Sequence, residues 1–258
     1  GIPDGVMRDV VVARYNDLAD VDAFLKGREH ELAAIIVEPI VGNMGYVTPI
    51  EGFLEGLRER TARYGALLIF DEVITWLRFG LHGAQGLLDV KPDMTTVGKI
   101  MGGGAPIAAF GGREDVMSVL APLGSTFTGG THGGNPFCVG MAHRVLDLLE
   151  AHPEYYDEMR TLAERLAGGI RRIFRDRDLP YAVVQHESIV DFTFRAGAPN
   201  QNYDDAVAAD KTKYASYWKA MLDLGILLPP SQNEVMFVST AHTPDDIDQT
   251  LASLADCA

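Results

Sequence analysis

Two side chains that could act together in covalent chemistry occur in similar settings, each after a short apolar or β-prone segment. Asp71 follows the apolar run 67–70, and Lys99 follows the run 95–98 and precedes a glycine-rich turn. A lysine removed from water at such a position has a lowered pKa, and its amine becomes a nucleophile near neutral pH. The Asp71 carboxylate could hold a cationic group. The alternative is structural, with Asp71 capping a helix or pairing with Lys99 as a buried ion pair.

The segments that would position these residues alternate between strands and helices. Apolar runs predict strands at residues 33–37, 66–70, 94–97 and 107–110, and helical periodicity predicts helices at residues 17–28, 51–64, 135–150 and 155–177. Apolar strands that alternate with amphipathic helices indicate an α/β fold with a mostly parallel sheet. Ligands bind at the carboxyl ends of such strands, so we expect Glu38, Asp71 and Lys99 at one edge of the sheet.

The character of the sequence changes after Pro180. The later segments predict strands at residues 182–184, 189–194 and 235–239, and helices at residues 203–224 and 245–254. We therefore predict two domains. Residues 1–150 form part of a large domain, and residues 151–258 form a connecting helix and a small α+β domain.

The composition restricts the possible partners. The 258 residues carry a formal net charge of −14, which disfavours nucleic acid and anionic membrane as partners. No apolar run reaches the length of a transmembrane helix. The cysteines Cys138 and Cys257 are far apart and outside any metal-binding spacing. They favour reduced thiols and a cytoplasmic protein without a metal site.

Four ordered motifs carry a resemblance to a known family. They are VEPIVGNMG at 37–45, FDEVIT at 70–75, GKIMGGG at 98–104 and GGTHGGNP at 129–136. In this order and spacing they resemble the class III aminotransferases, which have the type I pyridoxal phosphate fold. The tail at 229–243 also resembles the glutamate-1-semialdehyde 2,1-aminomutase branch. The resemblance implies a large domain with a mostly parallel sheet, a small C-terminal α+β domain, and pyridoxal 5′-phosphate as cofactor.

The resemblance implies roles for five residues. Lys99 would form the Schiff base with the cofactor and then move a proton at the substrate carbon, and Asp71 would pair with the protonated pyridine nitrogen. Val73 would pack on a face of the ring, and Asn43 would lie near the phenolic oxygen. Thr131 would reach the cofactor phosphate of a neighbouring subunit, which implies a homodimer with a shared site. Core packing for Val73, and turn formation for Asn43 and Thr131, are the plainer alternatives.

Three further residues have weaker claims to a role in substrate binding or gating. Glu234 matches a glutamate that approaches the cofactor region in the aminomutase branch, and a solvated loop carboxylate is the alternative. Glu38 follows a predicted strand, where a local structural role is equally expected. Trp76 replaces a glycine that is common in the family, and its bulk suggests a different amine or keto acid as substrate.

The resemblance leaves three functions open. The first is an aminotransferase that acts on small amino and keto substrates, and the second is an intramolecular aminomutase. The third is a binding or assembly fragment without catalysis, because the family's amino-terminal part has no counterpart in these 258 residues. That part would supply further contacts with the phosphate, the ring and the substrate. We therefore expect these residues to be one piece of a longer polypeptide.

Overall fold

The larger of two sheets has four strands and carries the candidate site at one edge. The computed structural model describes residues 1–130 and 132–257. The strands are β1 (Ala34–Val37), β2 (Leu67–Asp71), β3 (Met94–Val97) and β4 (Ala109–Gly112). They lie in the order β1-β2-β3-β4; the first three are parallel and β4 is antiparallel to β3. This topology confirms the mostly parallel sheet that the sequence predicts.

Nine α-helices are present in the described residues. They are α1 (Asp4–Met7), α2 (Leu18–Leu25), α3 (Phe53–Tyr64), α4 (Glu114–Met117), α5 (Pro136–Ala151), α6 (Glu154–Asp176), α7 (Tyr203–Val207), α8 (Lys211–Asp223) and α9 (Pro244–Cys257). Helix α5 begins as expected at Pro136, and Asn135 caps it by accepting hydrogen bonds from the amides of Phe137 and Cys138. None of the helices in this part of the chain combines the length and apolar composition needed to cross a lipid bilayer.

The predicted helix at 203–224 is wrong, because two helices occupy this stretch. Asn202 caps α7 through the amide of Asp205, and Asp210 caps α8 through the amide of Lys213. An aspartate inside a helical pattern offers its carboxylate to the backbone two or three residues later, which favours a new helix start. The chain therefore breaks before Asp210 although its sequence contains no glycine or proline there.

The second sheet is antiparallel and has its own buried cluster. It consists of β5 (Ala182–His186), β6 (Ile189–Thr193) and β7 (Met236–Phe237), in that order. Helices α6, α8 and α9 contribute side chains to a cluster that includes Phe174, Tyr217 and Leu254. A separate cluster lies between the two sheets, where Tyr46 packs with Ile189 and Val235. The division of the chain into two domains remains a prediction.

Candidate active site

Asp71 and Lys99 follow neighbouring strands at the same sheet edge. Asp71 is the last residue of β2, and the parallel register places it beside Thr96 of β3. Strand β3 ends at Val97, and Lys99 begins a 3₁₀ turn that runs from Lys99 to Gly102. The structure therefore brings the two side chains to one edge, where ligands bind in parallel sheets.

The backbone at Lys99 is unusual. Lys99 has φ of 49°, in the left-handed region that few residues other than glycine adopt. Such conformations carry a cost of about 1–3 kcal/mol and cluster at functional sites. The preceding Gly98 is buried, and a Cβ placed there would lie 3.5 Å from Cγ1 of Val73. Val73 thus packs directly beside the turn that presents Lys99.

The expected desolvation of Lys99 is wrong in this structure. Lys99 is exposed, and among the described residues its ammonium has no hydrogen bond and no ion pair. The physical reason is its position in the turn after β3, because this places the side chain outside the covered part of the sheet. Strand β4, the next strand of the sheet, is exposed along its length. The buried Asp71–Lys99 ion pair, the structural alternative, is also absent from the described residues.

The Asp71 carboxylate is half-buried and only partly used. Oδ1 accepts a hydrogen bond of 3.0 Å from the amide of Val73, and Asp71 forms no ion pair within the described ranges. Its second oxygen, Oδ2, therefore remains open to a ligand. A half-buried carboxylate without a protein counter-ion is suited to a cationic ligand group.

Glu38 and Asn43 contact each other at the end of β1. Oε1 of Glu38 accepts a hydrogen bond of 2.9 Å from Nδ2 of Asn43, and Oε2 accepts one of 3.0 Å from the amide of Gly42. Glu38 thus holds the turn that carries Asn43, which is a local structural role. Residues 39–47 are buried or half-buried except for Asn43, whose side chain is exposed.

Glu234 lies beside the same turn. The carbonyl of Asn233 accepts a hydrogen bond of 2.8 Å from the amide of Gly45, and a Cβ on Gly42 would lie 3.7 Å from Val235. Glu234 stands between these two contacts and is exposed. The structure therefore places it near Asn43.

Trp76 is held by packing. Its Nε1 donates a hydrogen bond of 3.1 Å to the carbonyl of Leu81, and its ring packs on a cluster that includes Met101 and Ala142. This cluster joins the segment after β2 to helix α5. The bulk of Trp76 thus fills a core position. Thr131, the predicted phosphate contact, lies outside the described residues.

The sequence interpretation missed Glu72, which is fully buried. Its two oxygens accept hydrogen bonds from Thr75 Oγ1 at 3.0 Å, from the amides of Ala84 and Gln85, and from Nε2 of Gln85 at 2.9 Å. These bonds fix the segment that follows Asp71. The sequence could have indicated this, because side chains alternate along a strand and those of Asp71 and Glu72 point to opposite faces.

The sequence interpretation also missed Asp191 of β6, which is 5% exposed. Its Oδ2 accepts a hydrogen bond of 2.9 Å from the amide of Tyr46, in the turn that carries Asn43. Burial raises the pKa of the Asp191 carboxyl to about 6, although backbone amides of Tyr46 and Phe192 oppose the increase. An aspartate inside an apolar strand was the available signal.

The architecture matches solved transaminases. An ω-transaminase from Sphaerobacter thermophilus has a TM-score of 0.89 and 30% sequence identity, over 100% of this chain and 58% of that chain. A glutamate-1-semialdehyde aminomutase variant from Pseudomonas aeruginosa PAO1, in complex with PMP, has a TM-score of 0.82 and 28% identity, over 96% of this chain and 56% of that chain. The chain therefore has the fold of these aminotransferase-like proteins.

The family follows from the sequence. The model of the aminotransferase class-III family matches residues 9–257, and the chain belongs to this family. It is 43% identical over 253 residues to glutamate-1-semialdehyde 2,1-aminomutase 2 of Geobacillus kaustophilus (strain HTA426), covering 98% of this chain and 58% of that protein. The chain thus spans less than two thirds of the relative's length. These matches confirm the resemblance that the strand-end motifs predict.

Proposed function

We propose that the protein transfers amino groups with pyridoxal phosphate as its cofactor. The observation that carries this proposal is the placement of Asp71 and Lys99 at the ends of neighbouring strands, where neither side chain forms an ion pair among the described residues. Opposite charges at one sheet edge that do not pair with each other suit a ligand with a cationic ring nitrogen and an electrophilic carbonyl. Pyridoxal phosphate has both.

The two residues would divide the work. When bound, pyridoxal phosphate supplies an aldehyde that combines with amines and a protonated ring that withdraws electrons from the substrate carbon. Asp71 would hold the ring nitrogen in its protonated form, because a carboxylate favours the neighbouring cation. The Lys99 amine would hold the cofactor at the aldehyde carbon and carry a proton to and from the substrate carbon.

Three more residues would complete the site. Val73 would pack on the ring, and its position against Gly98 supports this role. Asn43 would reach the phenolic oxygen, supported by its exposed position in a buried turn. Thr131 would bind the cofactor phosphate of a second subunit, so that the enzyme works as a homodimer.

The substrate would be a small amino or keto compound, and two reactions compete. Similarity to an ω-transaminase favours transfer between molecules, and similarity to aminomutases favours transfer within one molecule. Glu234, which is exposed, would act on substrate choice or gating. Glu38 and Trp76 would act on it indirectly, through the local contacts that hold them. An added keto acid that is converted to its amino acid supports the aminotransferase. Conversion of a semialdehyde without any added keto acid supports the aminomutase and contradicts the aminotransferase.

We also propose a cytoplasmic location and two domains. Cys138 and Cys257 are free thiols, which supports a reducing compartment. Separate buried clusters in the two sheets support a division into residues 1–150 and 151–258.

Replacement of Lys99 by alanine tests the proposed function against the alternative of a fragment without catalysis. Wild-type protein incubated with pyridoxal phosphate is expected to bind it and absorb in the near-visible region, and Lys99→Ala is expected to lose that absorption. Lys91→Ala is the matched control, because Lys91 is also exposed but lies before β3 rather than after it. Identical spectra for wild type and Lys99→Ala would contradict the proposal.

A further inference from the structure

The turn that carries Asn43 is closed on itself and leaves one side chain outside. Val41 and Val47 bridge through two backbone hydrogen bonds of 2.9 and 3.1 Å. Met44 and Tyr46, between them, are buried, and Tyr46 is 3% exposed. The position of the Asn43 amide therefore depends on how the rest of this turn is held.

Three residues of the carboxyl-terminal part hold the main chain of this turn. Asp191 accepts from the Tyr46 amide at 2.9 Å, and Asn200 Nδ2 donates to the Met44 carbonyl at 3.3 Å. The Gly45 amide donates to the Asn233 carbonyl at 2.8 Å. These three bonds join the main chain of three consecutive residues, 44–46, to the carboxyl-terminal part of the protein.

Asp191 packs so closely against the turn that a side chain at position 45 would not fit. Gly45 has φ of +73°, and a Cβ there would lie 2.8 Å from Oδ2 of Asp191 and 3.2 Å from Nδ2 of Asn200. Any side chain at this position would therefore displace the carboxylate or the turn. Glycine is required at position 45 because the backbone there lies against the side chains of Asp191 and Asn200.

Asp191 lies on the face of β6 that meets the turn. Side chains alternate along a strand, and Ile189 packs with Tyr46, whereas Val190 and Phe192 belong to the cluster on the other face. One face of β6 thus carries the Asp191 carboxylate toward the turn. The opposite face packs into the buried cluster that includes Phe174 and Tyr217.

Few charged groups surround the Asp191 carboxylate. The Tyr46 amide meets it from the turn. Burial raises the pKa of Tyr214 in helix α8, and the negative charge of Asp191 adds to that increase. Arg195 reaches Asn200, at 3.3 Å, rather than Asp191. Among the described residues no cation pairs with Asp191. The carboxylate is therefore held by amide groups, and its contact with the Tyr46 amide is a main reason for its orientation.

We propose that Asp191 is a positioning residue for the cofactor, acting through the turn at residues 43–46 to fix where Asn43 presents its amide. The proposal rests on the proposed function, because it takes Asn43 as a cofactor contact. Asp191 itself touches neither cofactor nor substrate in this account. By its bond to the Tyr46 amide it would fix the turn that carries Asn43 relative to the sheet edge with Asp71 and Lys99.

Hydrogen exchange in the cofactor-free protein tests the structural half of the proposal. Asp191→Ala removes the acceptor, and exchange of the Tyr46 amide is expected to rise about tenfold. Asp191→Asn keeps an oxygen acceptor and is expected to restore part of the protection. Val190→Ala is the matched control, because it weakens the opposite face of the same strand. Unchanged exchange in Asp191→Ala, or an equal rise in Val190→Ala, would overturn the proposal.

A double-mutant cycle on pyridoxal phosphate affinity tests the link to Asn43. Asp191→Ala is expected to weaken binding by about threefold to tenfold in the wild-type background and to have no further effect in Asn43→Ala. Equal effects in both backgrounds would overturn the proposal. A wild-type protein that does not bind pyridoxal phosphate contradicts the proposed function instead, and the exchange result still decides whether Asp191 holds the turn.

Discussion

At the scale of the residue, two carboxylates that follow or interrupt apolar strands behave differently. Asp71 has one carboxylate oxygen without a hydrogen bond from the described residues, at the sheet edge. Asp191 is buried, and its carboxylate accepts hydrogen bonds from backbone amides. The difference lies in the surroundings. A carboxylate left at an edge can meet a ligand cation, and one enclosed between two sheets can only fix the chain around it.

The stability of the protein is expected to depend on Asp191 as the pH changes. Its folded-state pKa of about 6 lies above the unfolded value, so protonation stabilises the folded state. The contribution is complete below pH 4 and is lost as the pH rises through 6. It is on the order of 3 kcal/mol, from the shift of the pKa.

The measurement is the free energy of unfolding of wild type and Asp191→Asn between pH 4 and 7, by denaturant titration. The stability of wild type relative to the variant should increase as the pH falls. A constant difference in the free energy of unfolding across this range would show that Asp191 has the same pKa in the folded and unfolded states.

At the scale of the element, the strands position the site and their opposite ends hold the sheet together. Asp93, just before β3, is 3% exposed and accepts hydrogen bonds from the Leu68 amide at 2.7 Å, from Arg58 at 2.8 Å and from Arg113. It thus joins helix α3, strand β2 and the start of the segment after β4. Burial opposes ionisation of Asp93, but the hydrogen bond from the Leu68 amide, followed by the neighbouring arginines, holds the pKa of its carboxyl below the usual range.

Asp93→Asn is expected to lower the free energy of unfolding by about 1.5–3 kcal/mol at neutral pH, because hydrogen bonds to a buried charge are lost. Since the folded pKa is lowered, this stabilisation is present above the unfolded pKa and disappears as the pH falls through the folded one. Asp115→Asn is the control, because Asp115 pairs with the same Arg113 on the surface. Equal destabilisation by both variants would contradict the account.

Much of this element layout is readable from the sequence, and the misses have physical causes. The four strands of the larger sheet, and helix α5 with its Pro136 start, follow from apolar runs and capping residues. The break before Asp210 was missed because helical periodicity outweighed a capping aspartate. The exposure of Lys99 was missed because it depends on the left-handed turn after β3. Sequence patterns do not report the conformation of such a turn.

At the scale of the whole molecule, the turn beside the candidate site is held by contacts from the second sheet. The sequence predicts that Glu38, Asp71 and Lys99 lie at one edge of the sheet, and the parallel strands β1, β2 and β3 bring them there. Contacts across the two sheets, such as that of Asp191 with Tyr46, join residues 145 positions apart. Sequence patterns report local periodicity and do not report such pairings.

The chain spans 58% of the length of the aminomutase relative from Geobacillus kaustophilus. Lys99 and strand β4 are exposed in this structure. The proposed homodimer would bring Thr131 of one subunit to the phosphate bound by the other.

Chemical trapping of the cofactor tests whether Lys99 is the residue that binds pyridoxal phosphate. The protein is incubated with pyridoxal phosphate, reduced with borohydride, digested and mapped by mass spectrometry. We expect one modified lysine, Lys99, and we expect Asp71→Asn to reduce the yield at a fixed cofactor concentration. Modification spread over exposed lysines such as Lys26 and Lys91, with Lys99 no more modified than they are, would contradict it.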